Sequence, residues 1–462
     1  MKATPGVIAD HAETCEALPA LAPGVATSVF ADAAERMVRT GAAAVIDQGI
    51  VSATNFFTAL IIARTCSKED LGVYSLAWTI VLFLTAVQGN LISVPYTMYC
   101  HRRDDGSLST YAGSTLVHQL ITSAAAMLCF LAFAVALSLG LGPEGLQPVS
   151  WVLLGVAPFL LLREYARRFT FAHVALAAAI TIDVVVAVGQ LGALLSLRHY
   201  QALSVSAAYG VMGGACAAAC LCWWLLNRQP IRIDYAHLLS DWRQNWSFGR
   251  WALASQLTGL AFYILPWMLM AIHGEEETGE LFACNTLVGL SNLFVIGLNN
   301  YLTPRTAQAY AQGGAAALGG VLRKASLLFV AALGSLCLVA AVAGNSLAVF
   351  VYGQQYDGTG ILIAVLALAT FTDALGLTAG NGLWAMDRPS ANFSADVVQT
   401  VGALATALCL VFPLGALGIA VALVVGRSAG AVVRWLTLWS WMASPRCKPN
   451  MAWQGKRCER TL

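Results

Sequence analysis

The chain has 462 residues, of which 11% are charged and 58% hydrophobic, and its formal net charge is +2. Soluble domains contain about 25% charged residues, so this composition excludes a soluble globule, a disordered chain and a coiled coil. The near-neutral charge balance gives no indication of nucleic-acid binding. We therefore expect an all-α polytopic membrane protein.

Apolar runs of about 20 residues, long enough to cross a bilayer as helices, recur along the chain between charged or turn-forming residues. Twelve spans are predicted, at about 41–63, 75–98, 116–139, 149–171, 174–197, 203–226, 248–272, 281–302, 325–350, 360–385, 396–413 and 415–440. Spans four and five are the weakest, because Arg163, Glu164, Arg167 and Arg168 crowd their junction. We interpret these four residues as the cytoplasmic end of span four and its turn.

Lysine and arginine are distributed unevenly between the connections. With a cytoplasmic amino terminus, the inner segments hold 20 of the 26 and the outer segments hold three. Cytoplasmic loops are enriched in these residues, so both termini are predicted to be cytoplasmic. All connections are short, which leaves no room for the large outer loop that membrane enzymes of glycan synthesis usually carry.

The two halves of the chain align at an offset of about 208 residues. The matched pairs are Gly41 with Gly249, Gln48 with Gln256, Gly72 with Gly279 (one residue out of register) and Pro95 with Pro304. Six spans per half make the halves parallel repeats about an axis along the membrane normal, as in alternating-access transporters. A chance match between two apolar sequences is the alternative interpretation.

The repeat predicts two six-helix lobes around a central cavity. The predicted domains are a cytoplasmic tail (1–40), the first lobe (41–226), a cytoplasmic linker (227–247), the second lobe (248–440) and a basic cytoplasmic tail (441–462). The sequence contains no P-loop and no HExxH motif. We therefore predict no catalytic residue, cofactor or metal, and an energy source other than nucleotide hydrolysis.

Five stretches carry a resemblance to a known family. They are IDQGIVSATNFFTALIIAR (46–64), LGVYSLAWTIVLFLTAVQGNLISVPY (71–96), VFVYGQQYDGTGILIAVLAL (349–368), LWAMDRPS (383–390) and PLGALGIAVAL (413–423). In order and spacing they resemble the polysaccharide-type lipid-linked oligosaccharide flippases of the multidrug/oligosaccharidyl-lipid/polysaccharide exporter superfamily. The resemblance covers roughly residues 40–440.

The resemblance implies a flippase that moves undecaprenyl-pyrophosphate-linked oligosaccharide across the bacterial inner membrane for surface polysaccharide biosynthesis. It implies membrane lipid, a polysaccharide polymerase and glycosyltransferases as partners. Two alternatives stay open. One is a cation-coupled drug or metabolite exporter of the same superfamily, and the other is a membrane enzyme acting on polyprenyl-linked sugars.

Polar side chains within the spans are the candidate site residues, because ionisable groups in a bilayer are costly unless they are paired or hydrated. The substrate-binding candidates are Arg427, Arg434, Arg250, Asn292, Asn299, Gln48, Ser52 and Asn55. The ion-coupling candidates are Asp47, Asp183 and Asp373. Arginine offers a fork that fits a pyrophosphate, and a protonatable acid can carry a proton.

Each candidate also has a structural alternative. Arg427 can neutralise Asp373 within the second lobe, and Arg434 and Arg250 can act as anchors at the cytoplasmic surface. The polar stripe of Gln48, Ser52 and Asn55 can serve helix–helix hydrogen bonding. The sequence leaves both interpretations open.

Overall fold

A computed structural model describes residues 46–100, 103–173, 175–227, 229–259 and 261–443. The predicted tail 1–40 and all but the first three residues of the predicted tail 441–462 lie outside these ranges. Within them all regular structure is helical, which confirms the predicted all-α fold. Nine of the described helices are long and apolar enough to cross a membrane.

The first half of the chain forms six helices, one for each predicted span. They are α1 (Ile46–Thr65), α2 (Lys68–Tyr99), α3 (Asp105–Ser138), α4 (Leu146–Ala172), α5 (Leu176–His199) and α6 (Val205–Leu226). The start of α2 is fixed by a capping box, in which Ser67 and Asp70 bond each other's backbone N–H. The Ser204 side chain caps α6 by accepting from the N–H of Ala207.

The second half forms α7 (Tyr235–Leu257), α8 (Ala261–Gly289), α9 (Asn292–Tyr352), α10 (Gly360–Ala385) and α11 (Pro389–Ala443). Three of these helices turn sharply at a glycine with positive φ, namely Gly274 (85°), Gly314 (61°) and Gly415 (52°). A residue with a side chain rarely adopts this conformation. The turns separate consecutive membrane crossings, so each of the twelve predicted spans overlaps a helical segment.

Spans seven and eight are interrupted near their middle. Thr258 and Gly259 form a turn between α7 and α8, and 290–291 separate α8 from α9. The Thr400 hydroxyl of α11 donates to the Thr258 carbonyl. Irregular backbone at membrane depth is tolerated where it is buried in protein or lines a cavity. We therefore expect a cavity beside these two breaks.

The two halves meet where α2 crosses α8. A Cβ on Gly72 would overlap the Glu275 carbonyl, and a Cβ on Gly279 would overlap the Lys68 carbonyl. These are the two glycines that the sequence repeat pairs, and each faces the residue four positions before the other. The reciprocal contact supports a two-fold relation between the lobes and confirms the two-lobed architecture.

Helix α7 packs against the first half of the chain, on α3 and on the later part of α2. Tyr111 donates to Asn245 Oδ1 at 2.6 Å, and Arg103 Nη2 lies 2.9 Å from Asp241 Oδ1. The His118 ring meets Trp242 edge-on. The predicted linker residues 235–247 are therefore docked on first-lobe helices.

Candidate functional site

A cavity of about 300 Å³ lies between the lobes, on α2, α7, α8 and α11. Its wall is mostly apolar, with the rings of Trp78, Tyr263 and Phe282 beside Leu82, Leu265, Pro266, Leu281, Ile419 and Leu423, and its polar side chains are Ser75, Thr79, Gln256, Thr278 and Asn285. Among the described residues, none of its lining side chains is charged. Trp267 Nε1 donates to Thr79 Oγ1 at 2.9 Å and orients that hydroxyl. A mostly apolar wall with a few polar groups suits an uncharged ligand that presents both apolar surface and hydrogen-bonding groups.

A second cavity of about 440 Å³ adjoins the first at Leu82 and Gln256 and continues toward the predicted inner end. Its polar lining residues are Thr85, Asn90, Ser93, Thr97, Glu164, Arg168 and Gln256. We call the two cavities together the passage. Its deep end is uncharged, whereas its mouth carries both signs of charge.

Arg168 brings a guanidinium into the passage mouth. Its side chain is 57% exposed, and its Nε donates to Glu164 Oε1 at 3.0 Å. Within the described chain, its two terminal nitrogens make no hydrogen bond, so this fork is available to an anion. Sequence reasoning assigned Arg168 to a turn and missed it as a site residue.

The wall of the mouth includes an irregular stretch of α2. Residues Gly89–Ser93 form a π-helical segment, and such bulges in α-helices often occur at functional sites. Gln88 Nε2 donates to Ser93 Oγ at 3.0 Å across the bulge. Gly249 of α7 packs on it so closely that a Cβ there would lie 2.7 Å from the Asn90 carbonyl oxygen.

A buried ionic cluster ties three helices of the first lobe together. Arg167 of α4 places Nη2 2.7 Å from Asp47 Oδ2 of α1, and its Nε 3.0 Å from Asp183 Oδ2 of α5. Arg163 contacts the other oxygen of Asp183, and Glu164 lies 3.5 Å from both arginines. Asp47 and Asp183 are each 1% exposed. With Arg168 included, three acids face three arginines.

This cluster corrects our interpretation of span four. Arg163 and Arg167 lie in the last turns of span four, as predicted, but the turn that we expected here begins only after Ala172, where α4 ends. A spacing of four residues places both on one helix face, which is the signal that could have identified them. Asp47 and Asp183, predicted separately as ion-coupling residues, contact the same guanidinium. Their role in coupling stays a prediction.

The predicted polar stripe of α1 reaches a cavity at one position. Gln48 Nε2 lies 3.5 Å from Ser52 Oγ within the helix. Asn55 is exposed and lines a first-lobe cavity of about 240 Å³, together with Arg163 and Asp183. The stripe therefore combines a local contact with one cavity-lining amide.

A cavity of about 370 Å³ lies inside the second lobe, between α9, α10 and α11. Arg434 contacts the Asp396 carboxylate and lies 3.4 Å from Gln399 Oε1. Its side chain crosses α10 at Gly376 and Gly380. A Cβ on Gly376 would lie 3.0 Å from Arg434 Nη1, and a Cβ on Gly380 would lie 3.7 Å from Arg434 Cδ. Asp373 also lines this cavity, so two of the predicted candidates share one site.

Amide groups line the same second-lobe cavity. Thr303 Oγ1 donates to Asn381 Oδ1 at 2.7 Å, and Asn381 Nδ2 donates to Asn299 Oδ1 at 2.8 Å. Asn392 Nδ2 donates to the Gly380 carbonyl at 3.0 Å. The cavity therefore brings together the predicted Asn299, Arg434 and Asp373. Sequence reasoning missed Asn381, Asn392 and Asp396.

Three predicted candidates lie elsewhere. Arg427 is half-buried in α11, Arg250 is exposed on α7, and Asn292 is exposed at the start of α9. None of the three lines the passage or the second-lobe cavity. The substrate-binding candidates Arg427 and Arg434 are therefore not gathered around a single cavity, although both residues lie on α11.

The stretch Gly426–Gly430 reads GRSAG and so matches the spacing of a hydrolase nucleophile motif, GxSxG. That motif needs a strand-to-helix turn that exposes the serine. Here all five residues lie within α11, and both end glycines pack against α11's own earlier crossing, at Gln399. The glycines serve close helix packing at this position.

No protein-family model matches this sequence, and a search of curated proteins gives no match. Solved structures do match. An inward-facing multidrug resistance MATE family transporter of the MOP superfamily aligns with a TM-score of 0.71 and 15% identity, over 84% of this chain and 94% of that one. An outward-facing MATE family transporter aligns with a TM-score of 0.62 and 15% identity, over 88% and 95%.

A MOP superfamily transporter from Pyrococcus furiosus Vc1 aligns with a TM-score of 0.63 and 16% identity, over 88% of this chain and 95% of that one. Its description refers to a binding pocket of reversed polarity that suggests a different function for that protein. At this identity the likenesses establish the fold and leave the substrate open. The chain has the two-lobed, all-α fold of MATE transporters of the MOP superfamily.

Proposed function

We propose that this protein is an alternating-access transporter that moves a polyprenyl-pyrophosphate-linked oligosaccharide across the bacterial inner membrane for surface polysaccharide biosynthesis. The observation that carries the proposal is the polarity of the passage. Its deep end between Ser75 and Asn285 is uncharged, with aromatic rings and a few hydrogen-bonding groups in an otherwise aliphatic wall, and its mouth offers the Arg168 fork.

The three parts of such a substrate fit three environments. Sugar hydroxyls can bond to the Gln256 and Asn285 side chains, because an amide both donates and accepts, and a sugar ring can stack on Trp78. Thr79 can only accept, since its hydroxyl already donates to the Leu76 carbonyl. The pyrophosphate would meet Arg168, since a guanidinium binds phosphate oxygens in a bidentate way. The polyprenyl tail would stay in lipid, where its apolar surface avoids water.

A drug or metabolite exporter is the second candidate, and one observation favours it. The second-lobe cavity holds two carboxylates, Asp373 and Asp396, against one cation, Arg434, and the exposed Trp384 shares its wall. A surplus acid beside an indole suits an organic cation. The deep end of the passage differs, because none of the described side chains that line it carries a charge to hold a cation.

Binding to purified protein separates the two candidates. Protein in nanodiscs is titrated with an undecaprenyl-pyrophosphate oligosaccharide and with tetraphenylphosphonium, and thermal stabilisation is measured. The glycolipid should stabilise the wild type, Arg168→Ala should weaken its binding about tenfold or more, and Arg168→Lys should restore part of it. Arg198→Ala, exposed at the predicted outer end of α5, is the matched control. Stabilisation by the cation alone would favour the exporter.

The orientation belongs to the proposal as well. We propose both termini in the cytoplasm, with a polysaccharide polymerase and glycosyltransferases as the partners that consume and supply the substrate. Reporter fusions or cysteine labelling should place residue 455 and the 228–245 connection inside, and residues 273–280 outside. If 228–245 and 273–280 report the same side, the topology is wrong.

A further inference from the structure

At the end of the molecule opposite Arg168, each lobe holds a helix end of the other. Arg64, at the end of α1, donates from Nε to the Val351 carbonyl and from Nη2 to the Phe350 carbonyl, each at 2.5 Å. Gln355, just after α9, donates to the Ala63 carbonyl of α1 at 2.5 Å. The last carbonyls of a helix lack partners within it and carry partial negative charge. The two contacts are therefore reciprocal caps between lobes.

An ion pair stands beside these caps. Lys68 Nζ lies 2.5 Å from Glu280 Oε1 and 3.3 Å from Glu276 Oε1, and so joins the start of α2 to α8. The lysine is 18% exposed and Glu280 is 24% exposed at their side chains. Such a pair is more shielded from water than an ordinary surface salt bridge.

These contacts stand directly beyond the closed end of the passage. Its deep lining reaches Ser75 on α2 and Thr278 on α8. One turn further along α2, and immediately next along α8, come Gly72 and Gly279, whose backbones touch. No side chain separates the lobes there, so the crossing closes the passage with backbone and the flanking polar contacts hold it.

We propose that Arg64, Lys68, Glu276, Glu280 and Gln355 form a clasp that keeps the outer end of the transporter shut, and that opening to the outer face requires all of these interlobe contacts to break together. The clasp concerns the protein's own equilibrium between closed and open outer ends. It makes no use of the identity of the substrate, and it rests on the proposed function only for the orientation that makes this end the outer one.

The chain contains its own reporter of this equilibrium. Cys66 lies within the clasp, between Arg64 and Lys68, and is half-buried. Burial, with Asp70 as the smaller cause, raises the pKa of its thiol to about 11. Because the thiolate is the reacting species, Cys66 should react slowly while the clasp is closed and faster when water reaches it.

The experiment measures maleimide modification of Cys66 in the detergent-solubilised full chain without substrate, with peptide mass spectrometry reading that residue alone. Lys68→Glu turns attraction to Glu276 and Glu280 into repulsion and should raise the rate about tenfold. The exchange Lys68→Glu with Glu280→Lys should bring it more than halfway back. Lys324→Glu, exposed at the predicted inner end, is the matched control and should leave the rate unchanged.

Arg64→Gln provides a second, milder test, since it removes the cap on α9 without adding a charge. It should raise the rate of Cys66 modification several-fold. If Lys68→Glu does not yield monodisperse protein, Arg64→Gln alone tests the proposal. Wild-type rates in a folded Arg64→Gln protein, or failure of the charge exchange to restore a raised rate, would overturn the clasp. Either result leaves the glycolipid-binding experiment unaffected, so the two proposals fail separately.

Discussion

The two lobes are both built from helices that follow one another in corresponding order along the chain, but their buried charges are arranged differently. In the first lobe, Asp47 and Asp183 are fastened to Arg167, and the cluster is neutral. In the second lobe, Arg434 holds Asp396 while Asp373 lines the same cavity. The two lobes therefore have the same helical framework, but their charged residues differ in position and in pairing. The first network ties three helices together through one arginine and balances its charges, whereas the second leaves Asp373 as a surplus acid on its cavity wall.

The largest effect should follow from removing the shared cation of the first lobe. Arg167→Ala leaves Asp47 without its partner and Asp183 with only Arg163, both in a buried site. Breaking a buried pair from one side costs about 3–5 kcal/mol, so the thermal transition in detergent should fall by many degrees. Size-exclusion with fluorescence detection after heating measures it.

Arg168→Ala is the control for this variant, because it removes the same charge from the next residue of the same helix. Its side chain is mostly exposed, so its loss should cost less than about 1 kcal/mol. Equal destabilisation by the two variants would contradict the distinction between a helix-fixing cluster and a passage-lining fork.

The next largest effect should come from the crossing of α2 and α8, where the two lobes make equivalent contacts. Gly72→Val and Gly279→Val each drive a side chain into a backbone carbonyl of the opposite lobe, and overpacking of this kind costs about 1–3 kcal/mol. The two variants should destabilise by similar amounts and both should accelerate Cys66 modification. Gly334→Val, where a Cβ has open space, should do neither. Unequal losses of stability in Gly72→Val and Gly279→Val would contradict the two-fold relation between the lobes.

Neutralising one buried acid in each lobe should have a smaller effect, and the effect on stability should differ between the two lobes. Asp373→Asn should change the free energy of unfolding by less than about 1 kcal/mol but weaken any dependence of transport on an ion gradient. Asp183→Asn should instead lower stability, because Arg163 and Arg167 lose a common partner. The comparison uses thermal stability together with transport under imposed proton or sodium gradients. Gradient dependence lost only in Asp183→Asn would reverse the assignment.

The smallest effect concerns pH at the outer end. Burial, followed by Asp70 and Glu69, raises the pKa of the Glu275 carboxyl, with Glu144 adding to this and the Gly145 N–H opposing it. His273 lies just before the Gly274 turn, and Glu276 and Glu280 follow Glu275 along α8. Since the closed end holds the Glu275 proton more tightly than a solvated carboxyl would, acidification through this raised pKa should favour closure.

Spin labels at Leu139 and Gln354, both exposed at the proposed outer end on different lobes, can follow that closure. The distance distribution should shift to its shorter component as the pH falls through the raised pKa of Glu275. Glu275→Gln should remove most of the shift. A shift that persists in this variant would assign the pH response to another group.

The sequence predicted the helices well because a membrane helix is encoded locally, by about 20 consecutive apolar residues. It also identified Gly72 and Gly279, since the repeat leaves a readable register. It did not predict what the buried acids contact, because Arg167 lies 120 residues from Asp47 along the chain. A dense charge run such as Arg163–Arg168 resembles a cytoplasmic turn until the tertiary contacts are known.

The central claim is that the passage carries a glycolipid, and its direct test is translocation in proteoliposomes. A fluorescent undecaprenyl-pyrophosphate oligosaccharide is incorporated in both leaflets, and its exchange is followed by quenching from outside. Wild-type protein should exchange it without ATP, Arg168→Ala should slow exchange about tenfold or more, and Arg198→Ala should not. Exchange no faster than in protein-free liposomes, by a protein that does transport tetraphenylphosphonium, would contradict the account.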